Sequence, residues 1–511
     1  MPSHASPHAA IAIDYRVIVA LSLLLSLWLI AIDPVLDRDA ILYLRTADAY
    51  LQDGFLASLR LFDRPLLSIC LALLHQLTGL PLMYAGLLLN SLFYALFCVA
   101  FVAAVSALGG DRRVQLLAVI VVLSHPTLND QRSSILRDPA YWAFILLAFR
   151  QLLLYAQQPT TGGMLRWYAY ILLAALFRFE GLFFAACAPL ALLATRDLPR
   201  RLQHCLRLLA PSLLALVATL AAVLLYPDSF STGGAYLPGI SHYVQRLLAF
   251  SQQFGELARA GGEILLDSFS REDAVAATLA GFGAIVALNI FRALTWPCLL
   301  LMLWQRPASI HLRHDNRLLL RAHIIICLCY LVAFTLLKHF MTERYATQLV
   351  VFLLLYLPFL LDGMWRAGAR TPARYAAIAL LVFMTVDSLH NRDHEKAFIR
   401  DATQWLQTHT PRQASLVSNN EYLAYFSQRR LDWKVATYAH FDLEKLLAVE
   451  KYWRGKDFLV MRVTRHNVAA WEAFLQRYSL EETMMFDGGR HGRVAVVKLP
   501  STGAAGNEIQ P

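Results

Sequence analysis

The amino-acid sequence predicts a polytopic α-helical membrane protein of about eleven spans, followed by a small soluble α/β domain. Three observations predict it. The 511 residues are 58% hydrophobic and 16% charged, where soluble chains carry roughly 25% charged residues. Long apolar runs recur through residues 1–390 and reach the length that a bilayer requires. Beyond residue 391 the composition turns ordinary, and short β-rich stretches alternate with helical patterns.

The spans are expected at 16–33, 84–108, 114–126, 139–155, 166–177, 181–195, 208–226, 277–304, 322–338, 345–363 and 374–390. The first run, Tyr15 to Ile32, lacks an A-x-A-type cleavage site and is long for a signal-peptide core, so it reads as an uncleaved span. The seven cysteines all lie at or before residue 329, nearly all in apolar runs and without a CxxC pair. They read as small buried hydrophobes.

Loop charge sets the orientation. The basic loops "GGDRR" (109–113), "TRDLPRRLQHCLR" (195–207), "QRPASIHLRHDNRLLLR" (305–321) and "WRAGARTPAR" (365–374) belong in the cytoplasm by the positive-inside rule. All four agree only if "PLLSICLALLHQLTG" (65–79) does not span. It is therefore expected as an interfacial helix in an outer loop, 34–83. The N-terminus is then cytoplasmic and the C-terminal domain extracytoplasmic. The formal charge of +10 is explained by these arginine-bearing loops, and no zinc-finger spacing or Lys-rich tail points to nucleic acid. Segment 241–260 places Val244, Leu247, Leu248, Phe254 and Leu257 at helical spacing. It reads equally as an amphipathic surface helix or a plain connector.

In the C-terminal domain, 391–500, strands are expected at 414–419, 434–438, 457–463 and 494–499, and helices at 421–430, 441–453 and 467–478. The last residues, 501–511, read as a disordered tail.

The same orientation gathers charged residues on the outer face. Asp33, Asp37 and Asp39 follow the first span directly. Asp39, Tyr43 and Ala47 fall at i, i+4 and i+8, one face of a helix. A carboxylate there can serve as general base toward an acceptor hydroxyl or amine. Asp37 and Asp39 together can instead hold a divalent cation, Mg or Mn. Arg137 and Asp138 open a span; Arg178 and Glu180 sit in the turn "FRFEG" (177–181); Lys338, His339, Arg344 and Tyr345 flank the outer turn "KHFMTER" (338–344). Arginine grips phosphate bidentately and lysine binds it as a point charge. A lipid phosphate is the natural anion at that depth. Glu180 and Glu343 are natural partners for these arginines, and His125 reads as structural. The combination points to an enzyme that takes a phosphate-bearing lipid from the bilayer.

These residues resemble a known pattern, that of the GT-C superfamily of polyprenyl-phosphate-sugar-dependent glycosyltransferases, whose members include protein O-mannosyltransferases and aminoarabinose transferases. "DRDAILYLRTA" (37–47) resembles the acidic motif of the family's first outer loop, and "RPLLSICLALLHQLTG" (64–79) its following Pro-Leu helix. "LLAALFRFEGLFFAACAPLALL" (172–193) and "ERYATQLVVFLLLYLP" (343–358) resemble two later segments. The resemblance covers roughly residues 15–390. It implies a sugar donor linked to undecaprenyl or another polyprenyl phosphate, and a glycan, lipid or protein acceptor. It implies Asp39 as the base, with Asp37 beside it, supported by Tyr43, and an inverting single displacement. Arg137, Arg178, Lys338 and Arg344 would hold the donor phosphate, with Asp138, Glu180, His339 and Tyr345 supporting. The expected place is a bacterial inner membrane, with the C-terminal domain in the periplasm. Other readings are an O-antigen-type polymerase or ligase, which favours a large late outer loop, a transporter of lipid-linked glycans, which favours charge deep within spans, and a structural scaffold.

Overall fold

The computed structural model describes residues 13–32, 35–225, 249–303, 312–366, 371–390 and 396–500. The chain divides into two compact units. One comprises residues 1–27, 46–132 and 136–390; the other comprises 28–45, 133–135 and 391–511.

The protein is a mostly helical membrane protein with a small C-terminal sheet. Seven helical stretches are long and apolar enough to cross a bilayer: Tyr15–Ile32, Leu82–Leu108, Asp138–Gln157, Ser268–Leu294, His314–Lys338, Glu343–Arg366 and Pro372–Leu389. They coincide with seven of the expected spans. The expected spans at 114–126, 166–177 and 181–195 fall on shorter elements. These are Arg112–Ser124 and Thr161–Phe177, and Glu180–Cys187 continued by a 3-10 turn, Ala188–Ala194. The segment at 208–226 lies in the helix Arg201–Leu225, whose expected last residue is outside the described ones. Leu66–Thr78 has 13 residues and rises about 20 Å, short of a hydrocarbon core of roughly 30 Å. Two expected spans are broken. Thr295, at φ 62°, separates Ala274–Leu294 from Trp296–Leu303. A turn at Leu355 and Tyr356 separates Glu343–Leu354 from Leu357–Arg366.

Large apolar side chains stand exposed along several helices, Leu24 and Leu27 at 62% and 65% and Leu214 at 71%. In a chain of this composition lipid is the medium that covers them. Inward faces pack by aromatic interlock. Asp138–Gln157 lies against Leu82–Leu108 and Thr161–Phe177, with Trp142 5.5 Å from Phe97 and Phe144 stacked 5.9 Å from Phe177. Phe149 meets Phe352 edge-on at 5.4 Å, which ties this helix to Glu343–Leu354.

In the segment expected to be amphipathic, 241–248 lie outside the described residues. The remainder forms the helix Phe250–Leu265, whose buried stripe is Phe254, Ala258 and Gly262. That stripe packs on Ala274–Leu294, and Phe254 lies 6.4 Å from Phe282. Leu257 is left exposed.

The C-terminal chain forms a mixed five-stranded sheet of order β2-β1-β3-β5-β4. The strands are β1 Ser415–Ser418, β2 Arg430–Leu431, β3 Phe458–Val463, β4 Met484–Asp487 and β5 Arg493–Lys498. β1 is parallel to β2 and β3, and β5 is antiparallel to β3 and β4. Its core gathers Leu459, Met461, Trp471, Ala495 and Val497. The strand expected at 434–438 is instead a helix, Trp433–Tyr438. The Asp432 carboxylate accepts from the backbone N–H groups of Lys434 and Val435, and this cap overrides the β-branched residues. The helix expected at 421–430 stops at Phe426, because Arg430 turns into β2. The helix expected at 441–453 is two pieces, Leu443–Ala448 and Glu450–Trp453. Arg429 is buried and donates to the carbonyls of Leu406, Gln407 and Thr410 at 2.7–2.9 Å, neutralising the C-terminal end of the helix Ala397–His409. The tail 501–511 lies outside the described residues.

Candidate functional site

The charged loops of the larger unit converge on one carboxylate. Asp138 opens a helix whose next residue is Pro139. Proline suits the first helical turn, and the helix N-terminus favours a negative charge there. Asp138 is 1% exposed. Its Oδ1 takes Arg178 Nη1, and its Oδ2 takes Arg344 Nε at 3.0 Å together with Nη2. Arg178 Nε also donates to Glu180 Oε1 at 3.0 Å. Burial opposes the Arg178 charge, but Asp138 and Glu180 outweigh it and raise its pKa well above the usual value. Two guanidiniums and two carboxylates from three chain segments thus form one network, buried except at Arg344, which is part-exposed. Unpaired charges at this depth would cost several kcal/mol each.

Aromatic groups floor the network. The Tyr345 ring lies 5.2 Å from the Arg178 guanidinium carbon and the Tyr141 ring 5.8 Å from it. Tyr345 stacks on Phe334 at 4.5 Å. Tyr141 donates to Gln348 Oε1 at 2.7 Å, and Tyr330 lies close enough to Glu180 and Arg178 to interact with both electrostatically. Arg137 adds a further positive charge that acts on Asp138. Its Nη1 donates to the Phe177 carbonyl at 3.3 Å, and its guanidinium lies 4.9 Å from the Phe62 ring. Glu343 accepts from Thr127 Oγ1 at 3.3 Å rather than from an arginine. Lys338 ends its helix, and His339 follows in the left-handed region, stacked 5.9 Å from Phe282. His125 is structural as expected: its Nδ1 accepts from Leu128 N–H and its Nε2 meets the Leu294 carbonyl.

Gly181 closes the turn that carries Arg178 and Glu180. A Cβ at this position would lie 2.5 Å from the Ala175 backbone nitrogen and 2.6 Å from its Cα. Gly181→Ala is expected to destabilise the protein by about 1–3 kcal/mol through overpacking. Thermal unfolding in detergent checks this.

The acidic segment belongs to the other unit up to Arg45. Asp37 is the N-cap of the helix Arg38–Asp53: its Oδ1 accepts from Ala40 N–H at 2.9 Å. Asp39 is half-buried in the first turn, and Tyr43 and Ala47 below it are fully buried, at 1% and 0% exposure. The expected face is therefore a buried face with Asp39 at its rim. Arg38 pairs with Glu421 at 2.9 Å, and the Arg45 guanidinium carbon lies 3.6 Å from the Trp433 ring centre. Positions 38 and 45 are two turns apart, so both clasps act on one side of the helix. Burial pushes the Glu421 carboxyl up and Asp39 adds to the rise, while Arg38 opposes it.

Among the described residues no three His, Cys, Asp or Glu side chains come together as a metal site. Asp37 and Asp39 are two carboxylates, one engaged as a helix cap.

Residues not anticipated are Tyr141, Tyr330 and Gln348, which sit inside apolar runs, and Arg132. Arg132 is fully buried and donates to Asn129 Oδ1 at 2.7 Å and to the Ser22 and Ser26 hydroxyls at 2.9 and 2.8 Å. It pins the first span to the loop ahead of Asp138. Its only advance signal was the loop "HPTLNDQRSSILRD" (125–138), in which nothing sets Arg132 apart from Arg137.

No family model matches the chain, and no curated protein matches it. The solved structures that are similar at low identity include these three. ArnT from Cupriavidus metallidurans, bound to undecaprenyl phosphate, is 14% identical over 94% of this chain and 97% of that one, with a TM-score of 0.42. The Archaeoglobus fulgidus oligosaccharyltransferase in its apo form is 12% identical over 90% and 71%, with a TM-score of 0.48. The arabinofuranosyltransferase AftD from Mycobacteria is 14% identical over 96% of this chain and 40% of that longer one, with a TM-score of 0.48. At these identities and TM-scores the likenesses are distant ones.

Proposed function

We propose that the protein is a membrane glycosyltransferase. It transfers a sugar from a polyprenyl-phosphate donor to a glycan, lipid or protein acceptor on the extracytoplasmic face of a bacterial inner membrane. The observation that supports this most is the Asp138–Arg178–Arg344–Glu180 network. Ionisable groups buried together at the ends of apolar helices are costly to desolvate and mark a candidate functional site. Guanidiniums fixed in advance by carboxylates need no reorganisation when negative charge develops beside them.

In the proposed reaction the acceptor oxygen attacks the anomeric carbon while Asp39 takes its proton. The bond from that carbon to the phosphate oxygen breaks, and polyprenyl phosphate leaves with the electron pair. Arg137, Arg178, Lys338 and Arg344 stabilise the leaving phosphate. Asp138 and Glu180 orient the Arg178 and Arg344 guanidiniums, and Tyr345 and His339 line their surroundings. Tyr43 holds the helix face that carries Asp39. One displacement inverts the anomeric configuration and leaves no covalent intermediate. No step is assigned to a divalent cation at Asp37 and Asp39.

Arg137 is the test among the phosphate-binding residues, because Asp138 is already paired with Arg178 and Arg344. Arg137→Gln is expected to raise the KM for a polyprenyl-phosphate sugar by about tenfold or more, the value of one hydrogen bond to a charged group, and to leave the protein folded. Steady-state kinetics with labelled donor checks it. An unchanged donor KM removes Arg137 from the phosphate site.

A further inference from the structure

The helix Asp138–Gln157 has 20 residues and runs about 30 Å from the ion network at its first residue to a second polar site at its last. There a cavity of about 290 Å³ is lined by Tyr15, Ser106, Arg150, Gln157, Arg313 and Asn316 among others. Arg150 is half-buried on the same helix, and Arg313 is the N-cap of His314–Lys338. The cavity is built from the ends of four helices and from no part of the network around Asp138.

Its electrostatics are one-sided. None of the lining residues is acidic, and among the described residues neither Arg150 nor Arg313 makes an ion pair. The carboxylates that adjoin lining residues in sequence are engaged elsewhere: Asp315 accepts from the backbone N–H groups of Arg196 and Asp197 at 2.9–3.1 Å, and Asp14, beside Tyr15, accepts from the backbone N–H of Arg16 at 2.9 Å. The carbonyl groups of Ala107 and Leu108, the negative end of Leu82–Leu108, are covered by Asn316 Nδ2 at 3.3 and 3.1 Å. Asn316 Oδ1 in turn meets Gln157 Nε2 at 3.5 Å. The local negative groups are thus neutralised by neutral donors, while two guanidiniums remain on the wall. A hydroxyl from Ser106 and a phenol from Tyr15 are available as further donors. Two arginines and hydroxyl donors around a concave space are a phosphate-binding set.

We propose that this cavity is a phosphate-binding site, separate from the site of sugar transfer, whose ligand is a phosphomonoester or phosphodiester group. The group is carried either by an anionic lipid or by a small soluble phosphate. The site does not depend on the transferase reading, since it rests on the cavity and its lining of Arg150, Arg313, Ser106 and Tyr15.

The full-length protein in detergent, as wild type and as Arg150→Gln/Arg313→Gln, tests this. Native mass spectrometry during titration with phosphatidylglycerol reads the lipid arm, and thermal unfolding in inorganic phosphate reads the soluble arm. Arg200→Gln/Arg201→Gln removes the same charge from a basic loop outside the cavity and is the control. The expected result is about tenfold weaker binding of one of the two probes in the cavity variant, with the control unchanged. Loss in the lipid arm identifies a lipid headgroup, and loss in the phosphate arm a soluble ligand. If the double variant does not fold, Arg313→Gln alone, at an exposed helix start, gives the same reading in weaker form. Equal loss in the cavity and control variants would mean generic charge attraction. That result, or no loss with either probe, overturns the proposal.

Discussion

Asp39→Asn is expected to reduce sugar transfer by about 10²–10⁴-fold, the usual contribution of a positioned general base, while the protein remains folded. The substitution removes the proton acceptor and keeps the size and polarity of the side chain. Asp39 is half-buried in the first turn of Arg38–Asp53, where a carboxylate also benefits from the helix N-terminus by about 0.3–1 kcal/mol. The stability cost should therefore stay small beside the loss of rate. Asp37 provides the internal comparison. Its carboxylate caps the same helix through Ala40 N–H, and asparagine caps as well as aspartate. Asp37→Asn should consequently retain most of the activity. The ratio of the two variants, measured as initial rates at saturating donor, separates the base from the cap. A large loss in Asp37→Asn with little in Asp39→Asn would reverse the assignment.

Asp138→Asn is expected to destabilise the protein by about 3–5 kcal/mol, the cost of breaking a buried charge pair and stranding its partners. Two guanidiniums converge on this one carboxylate, so its loss leaves both short of their counter-charge. Asparagine can still accept hydrogen bonds but supplies no charge. A second substitution, Arg344→Met, should recover part of the loss in the Asp138→Asn background, because it removes one stranded cation. A double-mutant cycle on thermal unfolding measures this. Additive effects would mean that Asp138 and Arg344 do not act as a pair. Both the single and the double variant should lose transfer activity.

Much of the larger unit was legible because apolar length and loop charge are properties of the chain itself. The seven long helices follow from runs that only a bilayer or a protein core can bury. Counting spans against the basic loops also placed Asp138, Arg178, Glu180 and Arg344 at helix ends of one face, and these four do meet. The pairing pattern was hidden. Glu343 looked as suited to an arginine as Glu180 did, and only the packing of Glu343–Leu354 shows it bonded to Thr127. Tyr141 and Tyr330 were invisible as site residues because a helix apolar on all sides gives no rotational register. The breaks at Thr295 and Leu355 were hidden for the same reason, since apolar residues flank both.

In the C-terminal domain, β3 and β5 announced themselves as continuous apolar strands, whereas β2 and β4 did not. Arg430–Leu431 is only two residues long, and Met484–Asp487 is an exposed edge strand with little β-branched content. The clasp of Arg38 on Glu421 and of Arg45 on Trp433 joins residues nearly 400 positions apart. No local pattern signals such a pairing, yet it ties the C-terminal chain to the turn that bears Asp39.

The most direct test of the transferase reading is mass spectrometry of envelope glycans, lipids and glycoproteins from cells that lack the protein. One set is rescued with the wild type and another with Asp39→Asn at equal expression. The account predicts that the wild type restores a sugar-sized mass on one envelope component and that Asp39→Asn does not. Restoration by both would remove Asp39 as the base. No sugar-sized difference between the wild-type rescue and the deletion would contradict glycosyl transfer itself.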